Sequence, residues 1–260
     1  MSELYIGLMS GTSMDAIDAV LVDFSQGMRL AGTHSVPLPT DLRADLSALC
    51  QSGPDEVERL GRLDRTLGEA FAEAALGVLA SSEHHAHEIA AIGSHGQTIR
   101  HRPHGRDAFS LQIGDPNTIA ERTGITVVAD FRRRDIAAGG QGAPLVPAFH
   151  ASLFSHPERH RIVLNLGGIA NITVLPAGRP DAVHGFDTGP ANLLMDAWSQ
   201  ARRGLAYDAD GEWAARGDSD DRLLTQLLRH PFLHQLPPKS SGREDFHLDW
   251  LRGELAASGR

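Results

Sequence analysis

Asp187 stands in the string GFDTGP at 185–190, directly after a short apolar run. A carboxylate in such a position can serve as a general base that takes a proton from a hydroxyl group or a water molecule. It can also accept backbone N–H groups as a helix N-cap, which is a very common role for aspartate. Because proline is favoured as the first residue of a helix, Pro190 would make Gly189 the cap. This arrangement would release Asp187 from capping and favours the general base.

Two glycine-containing turns, SGTSMD at 10–15 and GGIANIT at 167–173, each follow an apolar run. Glycine lets the backbone approach an anion closely, and N–H and hydroxyl groups in such turns can donate to phosphate oxygens. Either turn could instead be an ordinary hairpin turn, since small polar residues dominate turns. Their equivalent places in two similar halves of the chain favour a nucleotide held from both sides. Asp15 or Asp18 could then hold Mg²⁺, directly or through water.

Further polar side chains lie where apolar runs end. His95 and Gln97 follow one such run, and Asp115 precedes a helical segment. Ligands bind at strand ends in α/β folds, so these side chains are candidates for ligand contacts, although each could also belong to a capped loop. An arginine run after the next strand could bind a carboxylate or a phosphate through paired hydrogen bonds, or could be a solvated charged surface. The run consists of Arg132, Arg133 and Arg134.

The composition excludes several classes of protein. The 260 residues include 24 Lys and Arg against 33 Asp and Glu, a formal net charge of -9. This balance argues against nucleic acid and against an anionic membrane surface as the main partner, because both require a basic face. The single cysteine, Cys50, excludes an intrachain disulfide and favours a reducing compartment. The N-terminal segment lacks a basic n-region and no stretch is apolar enough to span a membrane, so we expect a cytoplasmic protein.

The spacing of apolar residues changes along the chain and predicts the strands and helices that position these candidate residues. Apolar runs predict a three-stranded meander at the start of each half, and an amphipathic helix follows each meander. Together they predict an α/β fold of two related lobes, residues 1–130 and 131–260. The second lobe stops before it repeats the later strands of the first, so we expect it to be incomplete. The predicted strands are 4–9, 17–24, 28–37, 89–94, 125–129, 161–166, 171–175 and 182–186, and the predicted helices are 55–79, 118–123, 190–202, 223–228 and 248–256.

Seven strings occur in a fixed order along the chain: LMSGTSMD at 8–15, GSHGQT at 93–98, QIGD at 112–115, VADFR at 128–132, GQGAPLVP at 140–147, NLGGIAN at 165–171 and GFDTGP at 185–190. In combination they resemble the anhydro-N-acetylmuramic acid kinases, a family of the sugar kinase, actin and Hsp70-like superfamily. An eighth string, KSSGRE at 239–244, is similar to a family string that usually has Thr where Ser241 stands. The resemblance covers essentially the whole chain.

The resemblance implies a two-lobed actin-like ATPase fold of ribonuclease H-like topology, with ATP and Mg²⁺ as cofactors. It implies that the chain hydrolyses the 1,6-anhydro bond of anhydro-N-acetylmuramic acid and transfers the ATP γ-phosphoryl group to O6. The product would be N-acetylmuramate 6-phosphate, formed in the recycling of cell-wall peptidoglycan. Whether the protein is a homodimer stays open.

By the same resemblance, Asp187 would take a proton from the water that attacks C1 while O6 leaves toward the γ-phosphate. One arginine of the 132–134 run would bind the lactyl carboxylate of the sugar, and Asp15 is the candidate metal ligand. His95, Gln97 and Asp115 are candidates for sugar contacts. The candidate ATP contacts are Gly11, Thr12, Ser13, Met14, Asp15, Ala16, Ile17, Asp18, Gly167, Gly168 and Asn171.

Two features depart from the family pattern. Ala16 stands where the family usually has glycine, and a positive φ at this residue would cost about 1 kcal/mol. Family members also continue beyond residue 260 with a segment that holds adenosine. The alternatives to the kinase are therefore a non-catalytic remnant that binds a sugar or a partner, and a kinase of the same fold for a different anhydro or amino sugar.

Overall fold

In the computed structural model, strand β1 (Leu4–Ser10) shows the alternation that its sequence predicts, because every second residue from Leu4 to Ser10 is buried. Successive side chains of a strand point to opposite faces, so one face of β1 belongs to the core. That face packs on helix α2 (Glu56–Ala80). The first strand is therefore central to the arrangement of the first half of the chain.

The structure describes residues 3–103, 105–243 and 245–259. The chain divides into two compact units, residues 1–139 and 140–260. The sequence places this division at 130/131, and helix α4 (Phe131–Ala137) accounts for the difference. It belongs to the first unit, where the Phe131 ring lies against Gly93 and Arg132 donates a hydrogen bond to His95.

The strands of the first unit form, among the described residues, a five-stranded sheet in the order β3-β2-β1-β4-β7. β2 (Ala16–Asp23) pairs antiparallel with β1 and with β3 (Arg29–Pro37), which confirms the predicted meander. β4 (Ile89–Ser94) pairs parallel with β1, and β7 (Val127–Ala129) pairs parallel with β4. A meander extended by parallel strands beside β1 is the ribonuclease H-like order that the resemblance implies. The predicted α/β class is confirmed.

Helix α2 supplies much of the core of the first unit. Its apolar stripe, predicted over 55–79, buries Leu63 and Phe71 almost completely. Helix α3 (Pro116–Thr123) crosses α2 at Gly68, where a Cβ atom would lie 2.9 Å from the carbonyl oxygen of Asp115. The missing side chain at Gly68 therefore allows the two helices to approach closely.

Several elements of the first unit were not predicted. They include helix α4, helix α1 (Thr40–Leu49) and the antiparallel pair of strands β5 (Gln97–Arg102) and β6 (Phe109–Ile113). Strand β5 has the sequence QTIRHR, in which Ile99 is the one apolar residue. Without an apolar alternation, its sequence carries no period of two from which a strand could be predicted.

The second unit contains the second predicted meander. Strand β9 (Ile169–Leu175) pairs antiparallel with β8 (Arg161–Leu166) and with β10 (His184–Pro190), in the order β10-β9-β8. No helix in the described part of the chain is long and apolar enough to cross a bilayer. The α-helices of this unit are α5 (Pro147–Phe154), α6 (Asn192–Arg203), α7 (Asp221–Leu227) and α8 (Leu248–Ala257).

An aromatic cluster joins the last elements of the second unit. Phe246 is fully buried, and its ring meets those of Phe232 and Trp250 edge to face, at centroid distances of 5.8 and 5.5 Å. Such pairs are favourable because the positive ring edge meets the negative ring face. Leu193 of α6 joins the same cluster, so the segment after α7 and helix α8 are attached to the start of α6.

Gly61 and Gly68 form a matched pair for testing the close approach of α2 and α3. A Cβ atom at Gly61 would meet nothing within 4 Å. We expect Gly68→Ala to lower the free energy of unfolding by about 1–3 kcal/mol, because the helices must move apart. Gly61→Ala should raise it by up to about 1 kcal/mol, since alanine favours the helix. Urea unfolding followed by circular dichroism measures both, and equal effects would contradict the close approach.

Candidate active site

Asp187 lies beside a β-bulge in strand β10. It stands opposite Asn171 of β9, whereas Gly189 stands opposite Ala170, so Thr188 is an extra residue in β10. The Thr188 hydroxyl donates to the Ala170 carbonyl at 3.2 Å. A bulge bends its strand and redirects the neighbouring side chains, and bulges are common next to active sites. The bulge therefore sets the direction of the Asp187 side chain, which is only 5% exposed.

Pro190 is the last residue of β10, and helix α6 begins at Asn192 with Ala191 as its N-cap. The prediction that Pro190 is the first residue of this helix is therefore wrong. Gly189 has a φ of 151°, a conformation that other residues rarely adopt, and a Cβ atom there would lie 2.9 Å from Leu233. Strand β10 therefore continues past the end of the apolar run, through the bulge and this glycine.

Gly167 and Gly168 support the start of α6 with their carbonyl groups. The Asn192 N–H donates to Gly167 at 2.9 Å, and the N–H groups of Ala191 and Leu193 donate to Gly168 at 3.0 and 3.2 Å. These bonds satisfy N–H groups that have no partner inside the helix. The carbonyl groups of both glycines are therefore engaged by the start of α6.

Three polar residues form a row across the second sheet. Asn165, Asn171 and Asp187 stand directly opposite one another in β8, β9 and β10. Residues in this relation lie on the same face of a sheet. The Asn171 Oδ1 atom is buried and has no hydrogen-bond partner among the described residues. The structure therefore brings Asn171, a candidate ATP contact, next to Asp187.

The carboxylate of Asp187 accepts hydrogen bonds from the string KSSGRE at 239–244. The Ser241 N–H and the Ser240 hydroxyl donate to Asp187 Oδ2 at 2.9 and 3.2 Å, and all three residues are buried. The Asp187 N–H in turn donates to the Lys239 carbonyl at 3.1 Å. None of these three partners was among the candidate site residues. The signal that could have found them is the string itself, which lies more than 50 residues further along the chain.

The turn between β1 and β2 holds the candidate phosphate contacts of the first unit. Met14 has a φ of 56°, and its side chain is 1% exposed and lies against Ser47 in the core. The Met14 N–H donates to the Gly11 carbonyl at 3.1 Å. The Met14 side chain therefore anchors the turn to the core. The side chains of residues 12, 13, 15 and 18 are exposed.

Ala16 lies in an extended strand position. It is the first residue of β2 and pairs with Pro37, and Met14 is the left-handed residue of this turn. The condition under which alanine would be costly here, a positive φ at residue 16, is therefore not met. Alanine fits this extended position because a strand residue needs no glycine.

Asp15 is an exposed carboxylate in the same turn, and its Oδ1 accepts a hydrogen bond from the Ser13 hydroxyl at 2.5 Å. No group of three or more His, Cys, Asp and Glu residues in the described part of the chain could hold a metal ion. Mg²⁺ is commonly bound by one or two carboxylates together with substrate phosphates. Asp15 fits such a site only with phosphate oxygens as further ligands.

Gln97 lies behind the β1–β2 turn and is fully buried. Its Oε1 accepts a hydrogen bond from the Ser10 hydroxyl at 2.7 Å, and its Nε2 donates to the Thr98 carbonyl at 3.1 Å. A buried amide needs such partners. The structure therefore joins Gln97 to the last residue of β1, at the start of the candidate phosphate turn.

His95 and Arg132 form a pair in the first unit. Arg132 Nε donates to His95 Nε2 at 2.9 Å, and His95 Nδ1 lies 2.8 Å from the Gly96 carbonyl. Because arginine can only donate, Nε2 accepts and Nδ1 carries the proton. Burial, reinforced by the positive charge of Arg132, lowers the pKa of His95 to about 4. At neutral pH an uncharged imidazole therefore orients the Arg132 guanidinium group.

The other two arginines of the run are placed differently. Arg133 pairs with Asp130 through two hydrogen bonds, Nε–Oδ1 at 2.7 Å and Nη2–Oδ2 at 2.6 Å. The hydrogen bonds and charge of Asp130 raise the pKa of Arg133. Arg134 is exposed in the last turn of α4. The run is thus neither a single binding cluster nor a uniformly solvated surface, because each arginine has its own surroundings.

Asp115 is the N-cap of helix α3. Its carboxylate accepts the N–H groups of Asn117 and Thr118, each at 3.0 Å. Burial opposes its charged form, but hydrogen bonds from Thr118 and Asn117 outweigh burial and lower the pKa of this carboxyl group. Both carboxylate oxygens of Asp115 therefore accept hydrogen bonds at the start of the helix. This is the alternative in which Asp115 belongs to a capped loop.

The sheet order of the first unit and the glycine turn after its first strand define an α/β protein of ribonuclease H-like topology. A sequence model of the family named "Anhydro-N-acetylmuramic acid kinase" matches residues 3–260. A relative of that name from Shewanella loihica is 57% identical over 256 residues, which cover 98% of this chain and 69% of the relative. One from Shewanella oneidensis is 57% identical over 254 residues, covering 97% and 69%. The chain belongs to the anhydro-N-acetylmuramic acid kinase family.

Among solved structures, the ROK hexokinase from Thermus thermophilus aligns with a TM-score of 0.32 and 19% identity. The alignment covers 88% of this chain and 70% of the hexokinase.

The neutral state of His95 predicts a pH dependence of stability. Histidine ordinarily titrates near 6.5, and the pKa of His95 is lowered to about 4. Between these values the unfolded chain binds more protons at this residue than the folded chain, so stability falls as the pH falls through this window. The loss is up to about 3 kcal/mol.

The variant His95→Gln lacks this titrating group. Its free energy of unfolding should therefore fall less than that of the wild type when the pH is lowered from 7 to 4.5. Urea unfolding of both proteins at pH 7 and pH 4.5 measures the difference, because all other titrating groups are shared. Parallel loss of stability in the two proteins would contradict a neutral His95 in the folded chain.

Proposed function

We propose that this chain is an ATP-dependent kinase for anhydro-N-acetylmuramic acid. The reaction hydrolyses the 1,6-anhydro bond, transfers the γ-phosphoryl group to O6 and yields N-acetylmuramate 6-phosphate. The observation that carries the proposal is Asp187, a buried carboxylate that accepts hydrogen bonds from Ser240 and Ser241 beside a β-bulge. Membership of a family named for this kinase supports the same activity.

Asp187 is the general base in this proposal. The water oxygen bonds to C1 as the bond between C1 and O6 breaks, and the proton of the water passes to the Asp187 carboxylate. O6 takes the γ-phosphoryl group as the bond between that group and ADP breaks. Ring opening thereby prepares the acceptor oxygen for phosphoryl transfer, and the protein contributes mainly by positioning and charge stabilisation.

The glycine turn of each unit is, taken by itself, a candidate for phosphate contacts. In the β1–β2 turn, residues 12 and 13 present exposed hydroxyl side chains beside Gly11. In the Gly167–Gly168 turn, the carbonyl groups are bonded to α6, and we assign the role of phosphate donors to backbone N–H groups. Asp15 is the residue that would hold Mg²⁺, which neutralises negative charge on the phosphates when bound.

Arg132 is assigned to the lactyl carboxylate of the sugar. Of the three arginines, it is the one that is held by a half-buried neutral partner, His95. Arg133 is engaged by Asp130, and Arg134 is exposed in the last turn of its helix. A guanidinium held in one orientation can pair with a carboxylate at less entropic cost than a mobile one.

Asp187→Asn tests the general base. We expect kcat to fall at least about 100-fold, because asparagine cannot take the proton, while binding of the sugar persists. Formation of the sugar 6-phosphate is followed by ³¹P NMR, and sugar binding by calorimetry. The matched control is Asp181→Asn, an exposed aspartate of the same unit, which should behave as the wild type. Normal turnover by Asp187→Asn would overturn this role.

Arg132→Ala tests the sugar carboxylate contact. Hydrogen bonds to charged groups predict that KM for anhydro-N-acetylmuramic acid rises by about 10- to 100-fold. KM for an anhydro-glucosamine substrate, which lacks the lactyl group, should change little. Arg65→Ala, at a side chain that is 78% exposed in the same unit, is the control. A wild type that prefers anhydro-glucosamine would instead support a kinase of this fold for a different amino sugar.

A further inference from the structure

Three residues of the second unit, Lys239, Ser240 and Ser241, make three hydrogen bonds to Asp187. We call them the positioning segment. The Lys239 carbonyl accepts the Asp187 N–H at 3.1 Å, while the Ser241 N–H and the Ser240 hydroxyl donate to Asp187 Oδ2 at 2.9 and 3.2 Å. Strand β10 is an edge strand of its sheet, so the segment occupies the side of β10 that β9 does not.

We propose that Ser240 is a positioning residue for the general base. Its hydroxyl and the Ser241 N–H both reach Oδ2, so together they restrict rotation of the carboxylate and stabilise its charged form. Asp187 then presents one fixed orientation to the water that it activates. This inference rests on the proposed function, in which Asp187 takes a proton from water.

The buried ammonium group of Lys239 holds the segment in place. Lys239 is 6% exposed, and its Nζ donates to the carbonyls of Phe232 and Leu233 at 3.1 and 3.4 Å. The same Nζ lies 4.7 Å from the centre of the Phe232 ring. A buried cation is stable only with such partners, so the lysine ties the segment to residues 232 and 233.

The partners of Lys239 are themselves fixed on both sides. Phe232 belongs to the aromatic cluster around the fully buried Phe246. Leu233 lies against Gly189, the glycine of the β-bulge beside Asp187. The Ser241 hydroxyl donates to Asp245 at 2.8 Å, which adds a second anchor at the far end of the segment. The segment and the bulge therefore support the same carboxylate from two directions.

Ser240→Ala tests the positioning role. We expect kcat to fall about tenfold, since one hydrogen bond to a charged group is lost, while KM for the sugar stays within about twofold. The acid limb of the pH profile of kcat should move to higher pH, because the charged carboxylate loses a donor. Ser240→Thr keeps the hydroxyl and should restore both kcat and the pH profile.

Ser199→Ala is the matched control. Ser199 is a fully buried serine of the same unit, and its hydroxyl has no hydrogen-bond partner among the described residues. Its replacement should leave kcat and the pH profile unchanged. Thermal unfolding of all variants shows that they fold. A Ser240→Ala protein with a lower unfolding midpoint but wild-type kcat and pH profile would overturn the proposal, because its hydroxyl would then be structural only.

A titration of the Asp187 carboxyl carbon by ¹³C NMR separates failure of this inference from failure of the proposed function. The signal is assigned by its absence from Asp187→Asn, and the measurement needs no turnover. Ser240→Ala should move the titration midpoint to higher pH, and an unchanged midpoint would overturn the inference. Normal turnover by Asp187→Asn would overturn the general base instead. In the Asp187→Asn background, Ser240→Ala should cause no further loss of kcat, and an added tenfold loss would contradict action through Asp187.

Discussion

Burial of the Asp187 carboxylate is the constraint on which the second unit depends. A carboxylate that is 5% exposed has lost most of its hydration, and it is stable only where hydrogen-bond donors replace the water. Ser240 and Ser241 supply two such donors from a distant part of the chain. To bring them there, the chain must also bury the ammonium group of Lys239, which in turn requires the carbonyl groups of residues 232 and 233.

The same principle operates with the opposite charge in the first unit. Arg132 is oriented by a histidine that remains uncharged because its surroundings are buried and already carry the arginine's positive charge. A charged histidine would repel the guanidinium group, so the neutral state of His95 is part of the geometry. In each unit, then, a charged side chain at a strand end or just after one is held by polar partners.

The two candidate phosphate turns are stabilised by different local interactions. In the first unit, a buried Met14 with a left-handed backbone anchors the turn and leaves the neighbouring polar side chains exposed. In the second unit, the carbonyl groups of Gly167 and Gly168 bind the start of α6. Glycine and its backbone N–H group are common to both turns, and backbone N–H groups can recognise phosphate oxygens. Because each turn is anchored by other contacts, its backbone N–H groups are held in a fixed arrangement.

The pattern of apolar residues was sufficient to predict the two meanders, helix α2 and the α/β class, because alternation and the 3.6-residue stripe follow from burial of one face. Ordered strings were sufficient for the family, and Asp187 was singled out from its own string. The pattern could not predict strand β5, whose polar side chains hide its period, or the end of β10, which the bulge and Gly189 carry to Pro190. Nor could it show that Asn171 and Ser240 lie beside Asp187, or that His95 holds Arg132. The hydrophobic period of a segment depends on residues that are close in sequence, so it can be recognised from the sequence alone. The contacts of Asp187 and Arg132 depend instead on strand register, on a bulge and on the burial of charge. These are decided only when distant segments fold together.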